Sequence, residues 1–170
     1  MTMELYFLRH AKAAPRGPAW GGRDSRRPLM ASGRKKMRTI TEGMRALDLS
    51  FDLILTSPYL RARQTAQIVA EMWNLEKELR TSTHLVPEAN PKKLIEELEH
   101  RHGSKQSILL VGHEPSLGRI LSMLACGNFR LSVALKKASL GKVVVGKFES
   151  NPRATLEWLL TPGQLLLLAK

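Results

Sequence analysis

The stretch Leu5-Tyr6-Phe7-Leu8-Arg9-His10-Ala11 sets the frame for the rest of the chain. Apolar and aromatic residues run together and stop abruptly at Arg9-His10. Bulk, short length and a sudden polar end mark a strand. A buried parallel strand that ends in this way puts Arg9 and His10 at the carboxyl edge of a sheet, where open α/β folds hold ligands. The competing reading is a core strand followed by two surface polar residues, and the later chain has to separate the two.

Two further segments have the same form. Ser107-Ile108-Leu109-Leu110-Val111 is the cleanest strand signal and ends at Gly112-His113-Glu114-Pro115. Phe51 to Thr56 is a short strand followed by Ser57-Pro58, which reads as a helix cap with proline in the first turn. Between the strands, apolar residues recur at helical steps. Met37, Ile40, Met44 and Leu47 form one stripe, with Ser32 as its expected cap. Ala62, Ala66, Val69 and Trp73 form the inner face of a helix from about Tyr59. Leu94, Ile95 and Leu98 mark another, and Leu117, Ile120, Leu121 and Leu124 a fourth, starting at Pro115. Leu79 to Leu85 reads as a weaker strand.

Residues Ala13 to Gly22 are too rich in proline and glycine for regular structure, and so is Pro87 to Pro91. Toward the end, Ala138 to Phe148 and Ala154 to Thr161 read as strands around a turn at Asn151-Pro152. Pro162-Gly163 is expected to close the last strand before a short apolar tail. The alternation predicts a three-layer α/β/α sandwich with a mainly parallel sheet and antiparallel strands at the C-terminal side. No repeat or linker divides the chain, so residues 1–170 are read as one domain.

Composition narrows the class. The 170 residues are 43% hydrophobic and 25% charged, ordinary for a soluble globular protein. No apolar run approaches a membrane span. Met1-Thr2-Met3-Glu4 lacks the regions of a signal peptide, so a cytoplasmic location is expected. A lone Cys126 excludes an intrachain disulfide and a Cys-rich metal site, and is expected to be a small buried residue. The net charge of +12 and a pI near 10.4 favour an anionic partner. Arg23, Arg26, Arg27, Arg34, Lys35, Lys36 and Arg38 face a single acid, Asp24, in the most basic run. The pI invites a nucleic-acid binder, but aromatics are only 5% and no recognition motif is present. Neither nucleic acid nor membrane is expected as a partner.

Strand ends in a parallel sheet share one edge. Arg9, His10, Arg61 or Arg63, and His113 should therefore converge. Guanidinium forks match phosphate oxygens, and a neutral imidazole is a nucleophile toward phosphorus near neutral pH. Arg61 and Arg63, two apart on a helix, project to nearly opposite sides, so one alone faces inward. Arg61 lies in the first turn, where backbone N–H groups also face an anion. His84, His100 and His102 have no matching partners. Glu114 is read as a cap for the helix that follows.

Leu8-Arg9-His10-Ala11, then Thr56-Ser57-Pro58-Tyr59-Leu60-Arg61-Ala62-Arg63-Gln64-Thr65-Ala66, then Val111-Gly112-His113-Glu114, resemble the signatures of the histidine phosphatase superfamily, with its phosphoglycerate-mutase-like fold. The short length, Arg9-His10-Ala11-Lys12-Ala13, and Arg27-Pro28-Leu29 with Gly33 following resemble its SixA-like phosphohistidine phosphatase branch, which lacks a large cap insertion. The resemblance implies a catalytic His10 that is transiently phosphorylated, phosphate binding by Arg9, Arg61 and His113, and no metal or organic cofactor. Glu88 is the acid in the region where larger members carry a general acid. Ala11 stands where the family commonly has glycine. The expected substrate is phosphohistidine in a protein domain. The alternative is a small phosphorylated metabolite.

Overall fold

The computed structural model describes residues 2–146 and 154–170. Its strands are β1 (Met3–Arg9), β2 (Leu53–Thr56), β3 (Leu79–Thr81), β4 (Ser107–Gly112), β5 (Leu140–Val145) and β6 (Ala154–Leu160). They form one sheet in the order β3-β2-β4-β1-β5-β6. The pairs β2–β3, β2–β4 and β1–β4 are parallel, while β5 runs antiparallel to both β1 and β6. The helices are α1 (Ala31–Arg45), α2 (Leu60–Trp73), α3 (Pro91–His102), α4 (Ser116–Cys126) and α5 (Pro162–Leu168).

Alternation along β1 sorts the core into two halves, because successive side chains leave a strand on opposite faces. Tyr6 and Leu8 pack with Met37, Ile40 and Met44 of α1, Ala62, Ala66 and Val69 of α2, and Leu165 of α5. Leu5 and Phe7 pack with Leu94 and Leu98 of α3, and Leu117, Ile120 and Leu121 of α4. The result is the expected three-layer sandwich. β1 and β4 read as unbroken apolar runs because helices cover both of their faces.

Register brings the strand ends level. Arg9 pairs with Gly112, and Thr56 with Val111. The ladder continues one step beyond the strands: His10 N–H donates to the Gly112 carbonyl at 3.0 Å, and Ser57 N–H to the Val111 carbonyl at 2.9 Å. Three separate segments therefore leave the sheet at one level of one edge.

Several local expectations are corrected. α1 starts at Ala31, its N-cap position is Met30, and Ser32 lies inside the first turn. Ser57-Pro58 precedes α2 without capping it; Tyr59 is the N-cap residue. Only Leu79–Thr81 of the third strand is extended, and Thr83–Leu85 turns into a short 3-10 segment. The apolar tail is α5, where Pro162 opens the helix and Thr161 with Gln164 forms a reciprocal capping box. Cys126 is exposed, as the last residue of α4. The expected Asn151-Pro152 turn lies outside the described residues.

Candidate active site

Arg9, His10, Arg61, His113 and Glu88 line one open cleft of about 380 Å³ at the carboxyl edge of the sheet. Arg61 is only 3% exposed, whereas Arg63 is exposed on another face of α2. Of the two arginines, Arg61 thus faces inward and Arg63 outward, as their two-residue spacing on a helix implies.

His10 is buried, and its Nδ1 lies 2.7 Å from the Ala11 carbonyl oxygen. A carbonyl only accepts, so Nδ1 carries the proton and Nε2 keeps the lone pair. Arg61 Nε–H donates to that Nε2 at 3.2 Å. Burial, reinforced by the charges of Arg61, Arg9 and Lys137, pushes the His10 pKa down to about 3 despite the opposing bond to Ala11. The ring is therefore neutral across the physiological range.

His113 stacks obliquely on His10, with ring centroids 5.0 Å apart. Its Nε2 lies 2.9 Å from the Ser57 hydroxyl, and its Nδ1 has no hydrogen-bond partner among the described residues. Burial first, then the neighbouring His10, hold its pKa well below the ordinary range. Arg9 donates from Nη1 to the Leu135 carbonyl at 2.7 Å, leaving its charge at the cleft wall. Glu114 lines the same cleft and turns toward α4, where a Cβ added to Gly118 would lie 3.1 Å from its Oε2; the N-cap position of α4 is Pro115 and no side chain caps it, which corrects the reading of Glu114 as the cap. Burial raises its pKa, opposed by the charge of Arg9.

Glu88 is exposed at the rim beside Pro87. Burial and then the Glu88 charge raise the pKa of the Tyr59 phenol. Tyr59 also meets His113 edge to face, with centroids 5.1 Å apart, and lies under the Arg61 guanidinium.

Sequence reasoning missed Asp24. Its Oδ2 accepts from Arg61 Nη2 at 2.8 Å, and its backbone oxygen accepts from Arg61 Nη1 at 2.8 Å. Its Oδ1 meets Arg27 Nε at 2.8 Å and Arg16 Nε at 3.3 Å. Partial burial would raise its pKa, but Arg61, Arg27 and Arg16 outweigh this and hold the carboxyl below its usual range. The available signal was its position as the lone acid among seven cations. The middle motif also carries structural bonds. Thr65 Oγ1 accepts from Ala11 N–H at 3.1 Å and donates to the Arg61 carbonyl at 2.7 Å. Gln64 Oε1 accepts from Leu29 N–H at 2.8 Å, closing the basic loop onto α2.

A neutral imidazole lone pair beside a guanidinium, with a second imidazole 5 Å away, can attack phosphorus and stabilise its equatorial oxygens. Among the described residues, no group of three or more His, Cys, Asp or Glu side chains is arranged to hold a metal ion.

Comparison with known proteins gives a consistent picture. A family model described as histidine phosphatase superfamily (branch 1) matches residues 5–85. An uncharacterized protein of Picosynechococcus is 36% identical over 139 residues, covering 81% of this chain and 82% of that protein. Phosphohistidine phosphatase SixA of Escherichia coli K12 is 24% identical over 170 residues, covering 96% of each. A solved structure of the protein histidine phosphatase SixA with tungstate superposes with a TM-score of 0.82 at 24% identity, covering 96% of this chain and 99% of that one.

Proposed function

The chain belongs to the histidine phosphatase superfamily and is a phosphatase; from that premise we propose that it removes phosphate from phosphohistidine in a protein, through a covalent intermediate on His10. The observation that carries this reading is the His10 tautomer. Nδ1–H is tied to the Ala11 carbonyl, so the lone pair sits on Nε2, the nitrogen that faces Arg61.

In the proposed reaction the Nε2 lone pair attacks phosphorus and the bond from phosphorus to the leaving atom breaks. Arg9, Arg61 and His113 hold the phosphoryl oxygens as charge moves among them. The leaving group takes a proton from solvent, and the water that acts in the second step returns one to solvent. Water then attacks the phosphohistidine, its P–N bond breaks, orthophosphate departs and the lone pair returns to Nε2. Neither step draws on a metal or an organic cofactor.

Leaving-group chemistry favours phosphohistidine. An alkoxide needs a proton as it departs, whereas an imidazole is protonated readily near neutral pH. Asp24, held ionised by three arginines, is a poor acid. Glu88 at the rim is our candidate acid for an ester, with Glu114 the other glutamate that lines the cleft. We read the molecule as a cytoplasmic enzyme whose catalytic domain spans residues 1–170, the domain reading being supported by the single sheet that the described strands form. The second reading is hydrolysis of small phosphate esters, favoured by the cleft volume of about 380 Å³, which falls in the small-ligand range.

The test is rapid labelling with a phosphoryl donor, quenched in alkali. Base-stable, acid-labile phosphate on wild type and none on His10→Ala is expected. Equal labelling of the two folded proteins, or none on either with several donors, overturns the nucleophile assignment. Faster turnover of sugar or acyl phosphates than of histidine-phosphorylated protein would favour the second reading.

A further inference from the structure

A second cavity, of about 400 Å³, adjoins the catalytic cleft. Lys12, Lys36 and Lys137 line it, with Ser32 and Ala138 among the remaining wall residues. Lys137 borders both cavities. Its charge also contributes to lowering the His10 pKa, so it lies within electrostatic reach of the reacting nitrogen. No Asp or Glu lines this cavity, and among the described residues none of the three lysines forms an ion pair. Asp24, the sole acid of the basic run, is engaged by Arg16, Arg27 and Arg61 and does not line this cavity.

Three ammonium groups around one concavity repel one another, and an anion among them relieves that repulsion. The electrostatics thus divide into two zones. In the catalytic cleft Asp24 partly neutralises the arginines. The adjoining lysine cavity has no internal counter-charge.

We infer that the Lys12, Lys36 and Lys137 cavity is a second anion subsite, which takes a carboxylate or phosphate carried by the substrate beside its reacting phosphoryl group. The inference rests on the proposed phosphatase reading of the adjacent cleft. A phosphohistidine protein would supply an acidic side chain flanking its histidine; a small metabolite would supply a second phosphate. The long lysine stems suit both, because a flexible ammonium is a point charge without the fixed fork that arginine imposes.

The test compares wild type with the Lys12→Glu/Lys36→Glu double variant, both changes being at exposed side chains outside the catalytic cleft. With p-nitrophenyl phosphate, whose leaving group is small and has no second phosphate or carboxylate, kcat/KM should change less than threefold. Tripolyphosphate and orthophosphate are then compared as inhibitors of that reaction. The preference for tripolyphosphate should fall at least fivefold in the variant. An unchanged preference overturns the inference while leaving the phosphatase reading intact.

Two substrates assign the source. A rise in KM for a histidine-phosphorylated domain with acidic flanks, but not for fructose 1,6-bisphosphate, identifies the protein side chain. The converse identifies the small molecule, which would support the subsite while overturning the proposed substrate. Lys36→Gln alone should give a smaller shift in the same direction, which separates lost attraction from introduced repulsion.

Discussion

Arg61 gives both terminal nitrogens to Asp24, Nη1 to its backbone oxygen and Nη2 to its carboxylate, each at 2.8 Å. Thirty-seven residues separate the pair in sequence. The fork that suits a phosphoryl group is thus already occupied by an anion of the chain itself. Asp24 orients Arg61 and also competes with phosphate for it. Asp24→Asn keeps an oxygen acceptor and removes the charge. With the effective dielectric of a partly exposed site, losing that repulsion is worth about 1 kcal/mol, or roughly fivefold in binding. Orthophosphate should therefore inhibit Asp24→Asn about fivefold more tightly than wild type. Weaker inhibition would mean that orientation of Arg61 dominates. Asp24→Ala, which leaves Arg61 without its carboxylate partner, should lower kcat.

The buried His10 makes a prediction about pH. An unperturbed imidazole is mostly protonated at pH 5 and would lose roughly thirtyfold in reactive fraction between pH 7.5 and 5. With its pKa pushed down to about 3, His10 keeps its lone pair at pH 5. Corrected for ionisation of the donor, the initial rate of covalent labelling should differ less than threefold between those two pH values. A loss following a pKa near 6.5 would show that the ring is far more hydrated than its burial indicates.

What was legible in sequence follows from where the determinants lie. β1 and β4 could be read because burial on both faces demands unbroken apolar residues. Arg61 could be preferred over Arg63 because helix geometry is local. Asp24 could not be paired with Arg61, since the loop between β1 and α1 folds through two short 3-10 turns with no periodicity. Ser32 and Ser57 failed as caps for different reasons. α1 begins two residues before the expected start, because Met30 N–H is drawn to the Lys12 carbonyl at 3.0 Å. Ser57 faces His113 as well as the Tyr59 amide. α5 was legible in principle: Thr161-x-x-Gln164 with Pro162 between them is a helix start, but Pro162-Gly163 was read as a breaker. Cys126 was misjudged because an average tendency to burial does not locate one residue at a helix end.

The two histidines also govern stability. In the unfolded chain both titrate near 6.5; in the folded protein burial keeps both pKa values well below that. Between pH 6.5 and about 3 the unfolded state therefore binds more protons than the folded state. Stability is fully present above pH 6.5 and declines as pH falls through that window, by at most about 1.4 kcal/mol per pH unit for each histidine. Urea midpoints measured from pH 7.5 to 4.5 should fall toward acid. His10→Gln should reduce the slope, since it removes one of the titrating rings. An unaltered slope would show that His10 does not contribute to the acid sensitivity.

Thr65 links catalysis to packing. It is buried, accepts from Ala11 N–H and donates to the Arg61 carbonyl, so it clips the segment after β1 onto the first turn of α2. Those two segments carry His10 and Arg61. Thr65→Val preserves shape but leaves the Ala11 amide without its acceptor, at a cost of about 2 kcal/mol. For a chain of this size that corresponds to a fall in Tm of roughly 4–8 °C. The larger consequence is geometric. A nucleophile displaced by even a fraction of an ångström loses alignment with phosphorus, so kcat should fall about tenfold or more while KM changes little. Thr65→Ser retains the hydroxyl and should recover most of kcat even where Tm stays lowered, since it lacks only the methyl group. If Thr65→Ser and Thr65→Val lose kcat equally, the methyl contact and not the hydrogen bond positions His10.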